Sequence, residues 1–267
     1  SCSDVKFEQL PVSQSPSTGG PSDKAMTESF FQQHEQPKLD ILVIVDNSPS
    51  MQAEQKKLGQ RLSNFTDQLA DVDWQIGVTN TDVSNGKYGM KGHLLKYEGL
   101  NKTYLTKHDP NYNEHFLETV VQKDAANCVG ECPSIDEQPL KALALAISMA
   151  ETSNYELFRG DSDFAVIIIS DEDEKSDGPS SAMKPRKVMA IFNSLFPQKN
   201  MSVNGVVVQP GDSDCLDEQG LDGKYATHVH EFARITGGIT TSICEEDYGS
   251  GLASIGQRAR KLLNTVT

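Results

Sequence analysis

Two uninterrupted apolar runs, Ile41–Val45 and Phe164–Ile169, constrain this chain more than anything else in it. Each is five or six residues long, rich in Ile and Val, and lacks the apolar–polar alternation of a strand with one face in water. Strands of that kind are buried on both faces, which is the signature of a parallel sheet covered by helices. The intervening segments have the spacing such a sheet needs. Leu58, Leu62, Phe65 and Leu69 keep helical periodicity over about 51–71, and Leu140, Leu143, Ala144 and Ile147 do so over about 137–152. Further strands are expected at Trp74–Thr79, Val203–Val208 and Ile239–Ile243, with helices at about 185–196, 224–236 and 250–264. The alternation predicts an α/β fold, a doubly wound, mostly parallel central sheet flanked by helices on both faces.

Residues 1–29 are rich in Ser, Pro and Gly and read as a flexible N-terminal tether. The folded domain is expected over 30–267, beginning near Phe30 and Phe31. Residues 83–135 form its irregular part, an insertion with a hairpin, a short helix near Phe116–Val121 and a loop between Cys128 and Cys132. The net charge of −14 and the lack of a basic cluster argue against nucleic acid as a partner. No run of about 18 apolar residues exists, so no segment is expected to span a membrane as a helix.

In such sheets, ligands sit at the carboxyl ends of the strands. Both apolar runs end there in acidic residues: the first at Asp46-Asn47-Ser48-Pro49-Ser50, the second at Ser170-Asp171. A carboxylate and two hydroxyls at alternate positions are the hard oxygen donors that Mg²⁺, Mn²⁺ or Ca²⁺ prefers. A plainer role for Ser48 or Ser50 is to cap the helix that starts near Met51. The run Asp171-Glu172-Asp173-Glu174 does not have EF-hand spacing, and Glu172 and Glu174 read as solvated loop charges. Asp212, Asp214 and Asp217 read the same way. His228 and His230 lie two apart on a predicted helix and point to different sides. No hydrolase elbow, phosphate loop or dinucleotide fingerprint occurs, and no base or nucleophile can be named beyond the metal-site residues, so the chain is not expected to be an enzyme.

Asp46-x-Ser48-x-Ser50 after a buried strand and Asp171 after a later one resemble the von Willebrand factor type A domain and its metal-ion-dependent adhesion site. The segments Lys38–Met51, Val78–Asp82 and Val166–Asp173 are similar to the first, second and fourth strands of its bacterial members. The resemblance covers about residues 38–265. It implies a divalent ion, usually Mg²⁺ and alternatively Mn²⁺ or Ca²⁺, bound by Ser48 and Ser50, with Asp46 and Asp171 bound directly or through water. The family normally adds a Thr from the loop before a middle helix, but Cys132–Leu140 contains none. Glu137 stands nearest that position, with Ser134 and Asp136 as alternatives. A carboxylate there adds negative charge to the ion's shell, which either competes with an acidic ligand or favours Ca²⁺. The resemblance also implies a last helix, here 250–264, that shifts when the site fills.

Of five cysteines, Cys128 and Cys132 are expected to pair, as are Cys215 and Cys244 in two polar loops, in an oxidising compartment. Cys2 heads the tether as the lipid-modified Cys of a bacterial lipoprotein does; a free thiol is the plainer reading. The resulting expectation is a metal-dependent protein-binding or adhesion module on a lipid-anchored protein of the bacterial cell envelope, periplasmic or outer-membrane. Its partner would be a protein offering an acidic residue, or a glycan, and any membrane contact would come through a lipid on Cys2. The alternative is an assembly component of an envelope complex with a closed, stabilising metal site.

Overall fold

The computed structural model describes residues 36–175, 182–220 and 223–263. Cys2, the expected tether, Phe30 and Phe31 lie outside them. The described residues from Pro37 onward are built on a six-stranded sheet. Its strands are β1 (Lys38–Val45), β2 (Asp73–Asn80), β3 (Tyr104–Thr106), β4 (Asp163–Ser170), β5 (Met201–Val207) and β6 (Thr240–Ser242). The spatial order is β3-β2-β1-β4-β5-β6, and every pair is parallel except β2–β3. The α/β doubly wound sheet is therefore as expected.

The helices are α1 (Gln52–Gln60), α2 (Leu62–Thr66), α3 (Tyr112–Val120), α4 (Lys123–Ala126), α5 (Pro139–Ser148), α6 (Pro185–Leu195), α7 (Ser213–Gln219), α8 (Thr227–Ile235) and α9 (Gly249–Leu262). Alternate residues of β1 enter opposite cores, as the two-residue period of a strand requires. Leu39, Ile41, Val43 and Val45 pack with Leu58, Phe65, Phe116, Leu252 and Ile255 from α1, α2, α3 and α9. Leu42 and Ile44 pack with Leu143, Val188, Val229 and Phe232 from α5, α6 and α8. The helix α9 approaches α2 so closely that a Cβ on Gly256 would stand 2.6 Å from the Phe65 carbonyl oxygen.

Several local expectations differ. The single helix predicted over 51–71 is broken at Arg61, whose φ of −115° leaves the helical region, and short 3₁₀ turns bound it at Pro49–Met51 and Asp67–Leu69. Residues 83–135 form no hairpin of their own. Their one strand, β3, adds antiparallel to β2, and α3 and α4 complete the segment. Cys215 lies on α7 rather than in a loop, with Asp212 capping that helix through the Cys215 amide at 3.1 Å. Asp214 and Asp217 are exposed, but on the helix. The disulfides Cys128–Cys132 and Cys215–Cys244 are both formed, with Cα separations of 5.3 and 5.6 Å.

At the amino end of the sheet, Asp40 is fully buried beside Arg159. The Arg159 backbone N and Nε donate to its two carboxylate oxygens at 2.7 Å each, and Nη1 reaches Asp73 at 3.0 Å. Burial raises the Asp40 pKa, and Ser162 and Arg159 oppose that shift. Removing Asp40 takes away the buried partner of Arg159, leaving the guanidinium only Asp73, and strands the Arg159 amide and the Ser162 hydroxyl that Asp40 accepts. Asp40→Ala should therefore cost about 3–5 kcal/mol in urea unfolding; a loss below about 1 kcal/mol would show the pair to be dispensable.

Candidate metal centre

Strand order makes the site. From β1 the chain crosses to β2 on one side, and β4 later pairs on the other, so the carboxyl ends of β1 and β4 flank the point where strand order reverses. The Asp46 amide donates to Ile169 O at 2.9 Å and the Thr81 amide to Val45 O at 3.3 Å, stitching the end of β1 to both neighbours.

Asp46 is completely buried. Its Oδ1 accepts from the Ser48 amide at 2.8 Å, and its Oδ2 from Ser170 Oγ at 2.7 Å. The first bond folds the Asp46-Asn47-Ser48 turn, in the manner of an Asx turn. Neither serine hydroxyl caps a helix. Instead Ser48 Oγ and Ser50 Oγ lie 3.0 Å apart, with Ser50 exposed. Asp171, at the end of β4, stands within hydrogen-bonding reach of Asp46.

Glu137 is buried too, and Thr81 Oγ1 donates to its Oε2. Of the alternatives at this position, Asp136 is exposed, and the Ser134 hydroxyl accepts the Asp136 amide at 3.1 Å. Thr81 was not singled out in the sequence. Thr81 places a buried hydroxyl against Glu137 from the end of β2, a position that adjacency to β1 could have flagged. Ser170, the immediate partner of Asp46, was passed over in the same way.

Asp46, Glu137 and Asp171 form an under-neutralised group. Burial raises the Asp46 pKa. Burial and then the charge of Asp46 push Glu137 well above the usual carboxylate range. The same two causes raise Asp171 to about 7. The hydrogen-bond partners of Asp46 and Glu137 are amides and hydroxyls rather than cations. Glu137 Oε1 and both amide atoms of Asn47 are buried with no hydrogen-bond partner among the described residues. Buried polar atoms of that kind mark a place for water or an ion. The donors are all hard oxygens, so they fit a Mg²⁺-, Mn²⁺- or Ca²⁺-type cation. Among the described residues no three carboxylates, imidazoles or thiolates make a metal cage by themselves. A cation here needs the serine hydroxyls and water to complete its shell.

Glu172 and Glu174 are not the solvated charges expected. Glu172, Asp173 and Glu174 are all buried. Glu172 pairs with Lys175. Asp173 accepts from Thr227 Oγ1 at 2.6 Å and His228 Nδ1 at 2.7 Å, at the start of α8. His228 and His230 do point apart, the latter toward Thr240 Oγ1 at 2.9 Å.

No family model matches the chain, and no curated protein does. Solved structures similar to it include proximal thread matrix protein 1 from the mussel byssus, at 14% identity and a TM-score of 0.44 over 85% of this chain and 48% of that one. A form of the same protein with a zinc-occupied MIDAS motif gives 14% identity and 0.42 over 85% and 48%. The pilus adhesin SpaC from Lactobacillus rhamnosus GG gives 10% identity and 0.38 over 87% and 31%. The chain spans about half the length of the mussel structures and less of the adhesin. Likeness at this level carries no argument about the site, which stands on its own geometry.

A carboxyl group whose folded pKa is raised binds a proton that the unfolded chain has already lost, so folding stability falls as pH rises between the two values. For Asp171 that window runs from 3.8 to about 7, and Asp46 and Glu137 act in the same direction. In EDTA, the Tm should fall from about pH 5 to about pH 8, and Asp171→Asn should flatten the fall. An identical slope in the variant would show that these carboxyls do not share their charge as described.

Proposed function

We propose that this chain is a metal-dependent protein-binding module of an extracytoplasmic protein. Asp46, Ser48, Ser50, Asp171 and Glu137 are the proposed cation ligands, with Mg²⁺ the first candidate and Mn²⁺ or Ca²⁺ the alternatives. The observation that carries this reading is the grouping of three poorly neutralised carboxylates beside a pair of serine hydroxyls, bonded to each other at 3.0 Å, at the sheet's switch point. A bound cation would supply positive charge there and a coordination position open to an outside oxygen donor. The protein's part is to hold Asp46 through Ser48 N and Ser170 Oγ, and to seat Glu137 against Thr81. The exposure of Ser50 favours an open site, able to take a partner's carboxylate or a glycan, over a closed stabilising one. Two disulfides support an oxidising compartment. Placement in a bacterial envelope through a lipid on Cys2 belongs to the same proposal.

A cation that binds only the folded state stabilises it by about 2.7 kcal/mol at one hundred times Kd. Adding Mg²⁺, Mn²⁺ or Ca²⁺ to EDTA-stripped protein should therefore raise Tm by about 5–10 °C. Asp46→Ala and Ser48→Ala should abolish that rise. If no cation shifts the wild-type melt, the module does not work this way. With Mn²⁺ bound, acetate should displace metal-held water and lower the water-proton relaxivity. Relaxivity indifferent to acetate would instead support the closed-site reading.

A further inference from the structure

The loop after β4 does not stop at the candidate site. Three residues past Asp171, the carboxylate of Glu174 is buried, and its Oε2 accepts the backbone amides of Leu140 at 2.6 Å and Lys141 at 3.3 Å. These amides belong to the first turn of α5, where an N-cap side chain would normally act. Pro139 occupies the start of α5, and the preceding Gln138 supplies no cap. The cap comes instead from 34 residues away, out of the loop that bears Asp171. Lys175 extends the join: its amide donates to Glu137 O at 2.8 Å and its Nζ to Ile135 O at 3.3 Å. The segment following Asp171 is thereby sewn onto the segment bearing Glu137.

We infer that Glu174 is a positioning residue for the cation site: by capping α5 it sets where the Glu137 carboxylate stands relative to Asp171. This rests on the cation-binding reading above. A local cap at Gln138 would stabilise α5 equally well but would leave the two arms unconnected. The charge of Glu174 also satisfies the positive end of α5, a place that attracts carboxylates. Without it, the carboxylate nearest in sequence to those amides is Glu137 itself, two residues before Pro139. Glu137 would then turn back to cap the helix and leave the cation, and a water would take its place.

Tb³⁺, which is luminescent and selects the same oxygen donors, reads this directly when decay rates in H₂O and D₂O count its bound waters. Glu174→Ala should bind Tb³⁺ about tenfold more weakly than wild type, the scale of an outer-sphere ligand support, and with one additional bound water. Glu137→Ala should gain the same water. The double variant should gain no second water and no further loss of affinity, because both changes remove one ligand. Glu174→Gln keeps a neutral acceptor for the α5 amides, so its loss should be smaller, about threefold. If Glu174→Ala does not fold, that threefold loss, present beside Glu137 and absent in Glu137→Ala, makes the same test. Wild-type affinity and water count in both Glu174 variants overturn the positioning role alone, as does full additivity with Glu137→Ala. Wild-type protein that takes up neither Tb³⁺ nor Mg²⁺ overturns the cation reading and this inference together.

Discussion

Pairing of β1 with β2 on one side and β4 on the other, both parallel, is the constraint on which the rest depends. It places helices over both faces of β1 and leaves only the strand's two ends for polar chemistry. Backbone amides and carbonyls along the strand are consumed by its neighbours. Whatever charge the sheet carries near its centre must therefore collect at an end, in a region already shielded from water, where an unpaired charge is costly.

The two ends resolve that cost differently. At the amino end, Asp40 faces the Arg159 guanidinium, with Asp73 alongside, and the carboxylate is matched by a cation of the same chain. At the carboxyl end, Asp46 meets Asp171 and Glu137; burial raises these carboxyls as it does Asp40, but hydroxyls and amides rather than a Lys or Arg oppose the shift. One sheet thus contains a neutralised carboxylate and an under-neutralised cluster in comparable burial. The difference supports a structural role for the first and the proposed cation-binding role for the second.

The acidic run after β4 shows how this cluster is kept from collapsing. Asp173 is spent on the start of α8, and Glu174 on the start of α5. Carboxylates at helix amino ends meet unsatisfied amides and a favourable dipole, so burial there is supported. Asp171 has no such helix end among its named partners. In this run of four acids, helix amides hold Asp173 and Glu174 and Lys175 holds Glu172, which leaves Asp171 facing Asp46.

Much of the fold was legible in the sequence because burial on both faces leaves an unbroken apolar word, as in Ile41–Val45 and Phe164–Ile169. Asp46, Ser48, Ser50 and Asp171 were legible as candidates because each follows such a word at the strand end. The break at Arg61 and the antiparallel joining of β3 were not, since local periodicity does not encode how a segment is finally braced. Nor was the burial of Glu172 and Glu174, whose partners Lys175 and the α5 amides are supplied by neighbouring loops and helices. Sequence by itself determined the strand–helix alternation and the donors at the strand ends, because these follow from local hydrophobic period and chemistry. Tertiary structure alone decided that Glu137, rather than Asp136, is buried against Thr81 near Asp46, because that choice depends on which carboxylate caps the α5 amides and which strand lies beside β1.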